Sequence, residues 1–254
     1  MIKISSIIIA KNEEPNIRRC IESQIGCIDE IVLLIDEHSN DKTYGIAAGY
    51  PIVKVSIVKW KGYSETKKEA LSLTSNEWIL WIDADEAITG ALKEEINRLK
   101  KSELSFSAFS MPRKAYFLGR WIKYSGWYPG RVTRLFKKNK ASFNSLNVHE
   151  ELNINGETGQ LKNDLEHYTD PSVSHYLIKF NNYTTLAAND LKERGRLFHI
   201  SDLIIRPITI FIKMYIIKMG FLDGIQGLIL AVFSSAYVFT KYSKFWELTR
   251  NNKL

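Results

Sequence analysis

Residues 77–86 read Glu77-Trp78-Ile79-Leu80-Trp81-Ile82-Asp83-Ala84-Asp85-Glu86. Five large apolar residues run without a polar break and then give way to three carboxylates. A short run of this kind, rich in β-branched and aromatic side chains, predicts a strand buried on both faces. Such a strand is usually central in an α/β sheet, whose ligands bind beyond the carboxyl ends of the strands. Asp83 and Asp85 are two apart, so on an extended backbone they point the same way. Two hard oxygen ligands there suit Mg²⁺ or Mn²⁺, which takes one or two protein carboxylates together with substrate phosphates. A solvated acidic turn after a strand would look the same locally, so the rest of the chain has to decide.

Upstream, residues 2–10 read as a first buried strand. Lys11 to Pro15 looks like a helix start, with Asn12 as cap and acidic residues in the first turn; Ile17 and Ile21 mark its inner face. Residues 28–36 form a second apolar run that also ends in a carboxylate, Asp36. Residues 36–43 are dense in side chains that bond their own backbone, a turn and helix start. A helix over 43–48, a strand over 53–58 and a helix over 66–74 lead into the Trp78–Ile82 run. This alternation predicts a doubly wound α/β sheet with parallel strands and right-handed crossovers.

Downstream, a helix is expected from about 89 to 100, with Leu92, Ile96 and Leu99 at helical spacing, and a strand of the mixed half of the sheet over 106–116. Residues 117–136 are aromatic and basic, with a turn at Trp127-Tyr128-Pro129-Gly130. Such rings pack against the protein or stack on a sugar. From residue 173 the sequence is helical, and 203–219 is nearly all apolar apart from Arg206, Thr209, Lys213 and Lys218. The first three form one narrow polar stripe on a wide apolar helix. This reads either as a helical hairpin packed on the main domain or as a surface lying in a membrane interface, Lys and Arg toward the headgroups. The excess of apolar surface favours the membrane.

The 254 residues carry 35 Lys+Arg against 28 Asp+Glu, a net charge of +7, with 45% hydrophobic residues. This is a globular composition with a preference for anionic partners: nucleotide, phosphorylated substrate or anionic membrane. Nucleic acid fits least, since the basic residues are scattered and no module signature appears. Cys20 and Cys27 are too few for a zinc cluster or a disulfide framework, and two free thiols fit a reducing cytosol. The chain opens on a strand rather than a signal peptide. No uninterrupted apolar run reaches the ~18–20 residues that span a bilayer. The expected location is the cytoplasm.

With these strands placed, the sequence resembles the family 2 inverting glycosyltransferases of GT-A fold, nearest to the lipopolysaccharide inner-core β-1,4-glucosyltransferase group. The resemblance covers nearly the whole chain. It rests on Ala10-Lys11-Asn12-Glu13-Glu14, on Asp29 to Val32 with Asp36 to Thr43, and on the 78–86 stretch. Further pieces are Ser125 to Pro129, Arg131 to Phe136, Val148-His149-Glu150, His167-Tyr168 and Gly220 to Gly224.

The resemblance implies a GT-A domain over 1–172, and the apolar pattern of residues 173–254 makes them a helical, amphipathic extension expected to associate with the membrane. It implies a metal-dependent transfer of a hexose, glucose first, from a UDP-sugar to a lipopolysaccharide core or related glycolipid. That places the enzyme peripherally on the cytoplasmic face of the inner membrane. Variants of the same reading use a polyprenyl phosphate or a protein as acceptor; a non-catalytic membrane-binding module is the remaining alternative. By the resemblance, Asp36 contacts uracil and ribose, Ala10, Asn12 and Glu13 line the nucleotide pocket, and Lys67 faces the nucleotide. Asp85 is the direct metal ligand, and Asp83 holds the ribose or a metal-bound water. Arg131 and Arg134 reach a phosphate, and Glu150 is the base with His149 as second choice. One departure stands out: His38 occupies a position that is usually glycine, which matters if that position needs a positive φ.

Overall fold

The computed structural model describes residues 1–143 and 152–250. The chain divides into two compact units: residues 1–113 with 131–167, and residues 114–130 with 168–254.

The first unit opens with β1 (Ile4–Ala10), α1 (Ile17–Gln24), β2 (Glu30–Asp36), α2 (Thr43–Ala48), β3 (Val53–Val58), α3 (Tyr63–Ser72) and β4 (Trp78–Trp81). β1 pairs in parallel with both β2 and β4, and β2 with β3, giving the order β3-β2-β1-β4. The apolar runs become these strands because both faces are covered; every residue of β2 is buried. α1 buries Ile17, Cys20, Ile21 and Gln24, an i, i+3, i+4, i+7 stripe. The chain steps outward from β1 to β3 and then returns to the other side of β1. This reversal at β1/β4 is the switch point at which open α/β sheets bind ligands.

Past β4 come β5 (Glu86–Ile88), α4 (Gly90–Leu99), β6 (Ala108–Phe117), β7 (Arg120–Trp121) and β8 (Gly130–Lys137). Then follow β9 (Ala141–Phe143), β10 (Leu152–Ile154), β11 (Thr158–Gln160) and β12 (Leu165–Asp170). The main sheet continues β4-β8-β6-β12-β5, with β8 antiparallel to β4 and β12 antiparallel to β5. The expected mixed, doubly wound sheet is therefore present.

Two local expectations are corrected, and the structure of one further stretch is added. Asn12 caps no helix: α1 starts at Ile17, while Asn12 adopts φ 55° and its Oδ1 accepts from the Asn40 backbone N–H at 2.8 Å. The strand ends at Trp81 and a turn follows, closed by Glu86 N–H donating to the Asp83 carbonyl at 2.9 Å, so Glu86 enters a strand of its own. Much of the aromatic, basic stretch is also strand, because β8 pairs with β4 and β7 with β6.

Glu30 anchors the opposite end of this sheet. It is buried and accepts from Ser5 Oγ, from Lys54 Nζ and from Ser75 N–H and Oγ. Burial pushes its carboxyl up, but these donors outweigh burial and bring it down to about 2; Asp36 is likewise held at about 2. Both values lie below the ordinary 4.5 and 3.8. A carboxylate with a depressed folded-state pKa binds fewer protons folded than unfolded, so its stabilisation is complete above the ordinary value. Stability is expected to fall as the pH drops from about 4.5 toward 2. Urea midpoints measured across that range check this, and Glu30→Gln should flatten the dependence.

The second unit holds α5 (Val173–Glu193), α6 (Ser201–Phe211) and α7 (Gly224–Arg250). A π-helical stretch, Ile212–Ile217, and a 3₁₀ turn, Gly220–Asp223, join α6 to α7. α7 packs on both α5 and α6. Asp223, 2% exposed, accepts from the backbone N–H of Lys123 and of Tyr124 and from Ser125 Oγ. A Cβ at Gly227 would sit 2.0 Å from the Gly220 carbonyl oxygen, so only glycine lets α7 start against that turn. Although no uninterrupted apolar run spans a bilayer, residues 220–250 form a helical segment apolar and long enough to cross one by length and composition.

Candidate active site

The loops after β1 and β2 are joined to each other. Asn12 N–H donates to Ser39 Oγ at 2.8 Å, Glu13 N–H to Thr43 Oγ1 at 2.9 Å and Glu14 N–H to Asp41 Oδ2 at 2.8 Å. Asp36 lies beneath this junction. Its Oδ1 accepts from the His38 backbone N–H at 2.8 Å and lies 3.0 Å from His38 Nδ1, and Lys11 Nζ is 3.0 Å from Oδ2. The His38 backbone bond and the Lys11 ammonium outweigh burial and hold this carboxyl down at about 2. The Asp36 side chain is only 2% exposed, whereas Lys11 and His38 are 54% and 70% exposed above it. His38 does not need a glycine-like backbone: among the described residues, the non-glycine residues at positive φ are Asn12, Leu118, Ser125 and Met219.

The second cluster follows from strand register. Leu135 faces Leu80 across β8/β4, which brings Arg134 beside Trp81, its guanidinium carbon 4.3 Å from the ring centroid. Lys67 Nζ lies over the same ring at 3.7 Å. Arg134, expected on a phosphate, is instead 4% exposed and paired with Asp83 and with Glu86, the latter at 2.7 Å. Its charge is used inside the protein, where it positions the acidic turn. The second Asp83 oxygen accepts from Trp81 Nε1 at 3.0 Å. Burial pushes the Asp83 carboxyl up, but the charges of Arg134 and Lys67 overcome it and hold it low. Burial raises the fully buried Glu86 above its ordinary value against the pull of Arg134. Arg131 also binds protein groups: one of its guanidinium nitrogens donates to the carbonyls of Ser110 and Leu161 at 2.8 and 2.7 Å.

Asp83 and Asp85 thus meet different partners. β12 pairs with β5 so that His167 faces Glu86, and this brings His167 Nε2 to 3.4 Å from Asp85 Oδ2. In the sequence His167 stands only as part of the His167-Tyr168 piece of the resemblance, with no role of its own; the pairing of β12 with β5 brings it to Asp85. Among the described residues, its buried Nδ1 has no hydrogen-bond partner. The Asp85 carboxylate fits Mg²⁺ or Mn²⁺, while the imidazole nitrogen beside it is a ligand of transition ions rather than of Mg²⁺. Among the described residues, no group of three His, Cys, Asp or Glu side chains could hold such an ion. Substrate phosphates and water would complete its shell, as is usual for Mg²⁺. His149 and Glu150 lie outside the described residues.

The glycosyl transferase family 2 model matches residues 5–169. The chain belongs to that family. An uncharacterized glycosyltransferase of Rickettsia typhi, RT0209, is 32% identical over 270 residues, covering 100% of this chain and 90% of that protein. The lipopolysaccharide core biosynthesis glycosyltransferase LpsC of Rhizobium meliloti is 28% identical over 253 residues, covering 97% of this chain and 93% of LpsC. Among solved structures, glucosyl-3-phosphoglycerate synthase of Mycobacterium tuberculosis, in complex with Mn²⁺, UDP and glucosyl-3-phosphoglycerate, matches loosely: 16% identity, TM-score 0.49, 77% of this chain and 81% of that one. The family match makes this family 2 chain a sugar-transferring enzyme.

Proposed function

We propose that this family 2 enzyme transfers a hexose, glucose first, from a UDP-sugar to a lipopolysaccharide-core or related glycolipid acceptor, with inversion and with a divalent metal. The observation that supports the reading is the pairing of Asp85, in the turn after β4, with His167 at 3.4 Å. LpsC, matched along almost its whole length, supports the acceptor class.

Uracil would lie on the loops after β1 and β2, against Ala10, Asn12 and Glu13, displacing Lys11 and His38 to reach Asp36. Asp85 and His167 would hold the metal, which when bound neutralises charge on the departing diphosphate. Asp83, 43% exposed at its side chain, would meet the ribose or a metal-bound water while Arg134 fixes its other side. Lys67 adds positive charge toward the nucleotide. Arg131 borders the same sheet end and would reach a phosphate only by leaving the Ser110 and Leu161 carbonyls. Glu150, with His149 as second choice, would take the proton of the acceptor hydroxyl. Residues 1–172 form the transferring domain in this reading, and 173–254 an extension that holds the enzyme to the cytoplasmic face of the inner membrane.

The test is release of UDP from a panel of UDP-sugars with Mg²⁺, with Mn²⁺ and with EDTA. Metal-dependent release from one sugar, abolished by Asp85→Ala, is expected. Failure of UDP to bind in the presence of metal would overturn the reading.

A further inference from the structure

α6 buries an acid, Asp202, and leaves a row of isoleucines exposed. Asp202, at its start, is 2% exposed; it accepts from Arg196 and Arg206 and from the His199 backbone N–H. Arg196 also donates to Tyr242 Oη at 2.7 Å, and both guanidiniums lie over the Tyr242 ring, at 4.9 and 5.4 Å. Of the polar stripe read from the sequence, Arg206 leans on α7 with its side chain still 51% exposed, and Thr209 and Lys213 stay exposed. The outward side carries Ile200, Ile204, Ile208, Ile212 and Ile216, each between 45% and 67% exposed.

An i, i+4 row drifts around an α-helix of 3.6 residues per turn. Here the second half of the row lies in a π-helical stretch, whose wider i→i+5 turn offsets that drift and keeps the isoleucines outward. Exposed Phe221 and Ile225 prolong the apolar surface into the next elements. A contiguous aliphatic face of this kind marks an interaction surface.

Its charge identifies the occupant. No acidic residue occurs between Asp202 and Asp223, while Arg206, Lys213 and Lys218 do occur there. Both bounding aspartates point inward and are 2% exposed. The surface therefore offers isoleucines, Phe221, the Thr209 hydroxyl and cations, and no carboxylate. A protein–protein interface is enriched in aromatic anchors and carries a rim with both donors and acceptors. Apolar insertion bordered by cations is the requirement of an anionic lipid surface.

We infer that the outward isoleucine row of residues 200–216 is the surface by which this enzyme lies in an anionic bilayer, with Lys213 and Lys218 at the headgroups. This rests on the proposed function for its purpose, a lipid-held acceptor, and adds the face and the lipid charge.

The test is flotation of the full-length protein with phosphatidylcholine vesicles, with and without phosphatidylglycerol. The protein should float with the anionic vesicles and far less with the neutral ones. Ile204→Glu/Ile208→Glu/Ile212→Glu should partition at least about a hundred-fold more weakly, since each buried isoleucine contributes strongly. Lys213→Gln/Lys218→Gln, which removes no apolar packing, should lose the preference for anionic lipid. UDP binding, read separately, confirms that each variant is folded. The inference falls if the wild type floats with neither vesicle, or if both variants float as the wild type does. It also falls if light scattering shows a lipid-free dimer that the glutamates dissociate. A protein that transfers sugar to a detergent-dispersed acceptor without floating overturns the membrane face alone. One that floats but binds no UDP overturns the transfer reading alone.

Discussion

Arg134→Met is expected to lower the unfolding free energy by about 3–5 kcal/mol, the usual cost of stranding a buried charge. Arg134 lies between Asp83 and Glu86, and Glu86 is fully buried. Asp83 can turn to water; Glu86 cannot. Without the guanidinium, burial raises the Glu86 carboxyl further and the folded protein must take up a proton that the unfolded chain does not bind at neutral pH. A raised folded-state pKa carries its penalty above the ordinary carboxylate value, so the variant should lose most at neutral pH and recover on mild acidification. Urea unfolding at two pH values reads this directly. Arg134→Met/Glu86→Gln should regain much of the loss, because the variant pair leaves no buried charge. A single variant as stable as the wild type would show that the pair is not part of the fold's support.

The same residues show where local pattern stops being informative. The strands β1, β2 and β4 are legible because each is an uninterrupted apolar run, and such runs have few alternatives in an α/β chain. Glu86 reads locally as the third carboxylate of a solvated loop. It is buried because β8 brings in Arg134 from 48 residues away. His167 reaches Asp85 only through the antiparallel pairing of β12 with β5, and three paired residues leave no periodic trace. Asn12 misleads for a related reason: asparagine favours helix caps and also the left-handed backbone region, and the loop after β2 selects the second. In the C-terminal part, composition reveals the apolar excess but not its direction. Which side of α6 meets α7 is decided by Asp202 gathering two arginines under Tyr242, a tertiary event.

Glu150→Gln and Asp85→Asn should separate the two halves of the chemistry. Inversion is a single in-line displacement, so the acceptor hydroxyl must lose its proton to a group on the side opposite the leaving diphosphate. Removing that base should leave nucleotide binding intact and slow transfer by two or more orders of magnitude, roughly the scale of general-base loss. Asp85→Asn preserves shape beside His167 but removes the negative charge that a divalent ion requires. It should lose transfer together with the metal-dependent part of UDP binding. Calorimetry of UDP with Mn²⁺, paired with transfer rates on a glycolipid acceptor, distinguishes the two. Near-normal turnover in Glu150→Gln would move the base to His149. Unchanged metal-dependent binding in Asp85→Asn would return the ligand role to Asp83, which would then have to give up Arg134 or Trp81 to accept an ion.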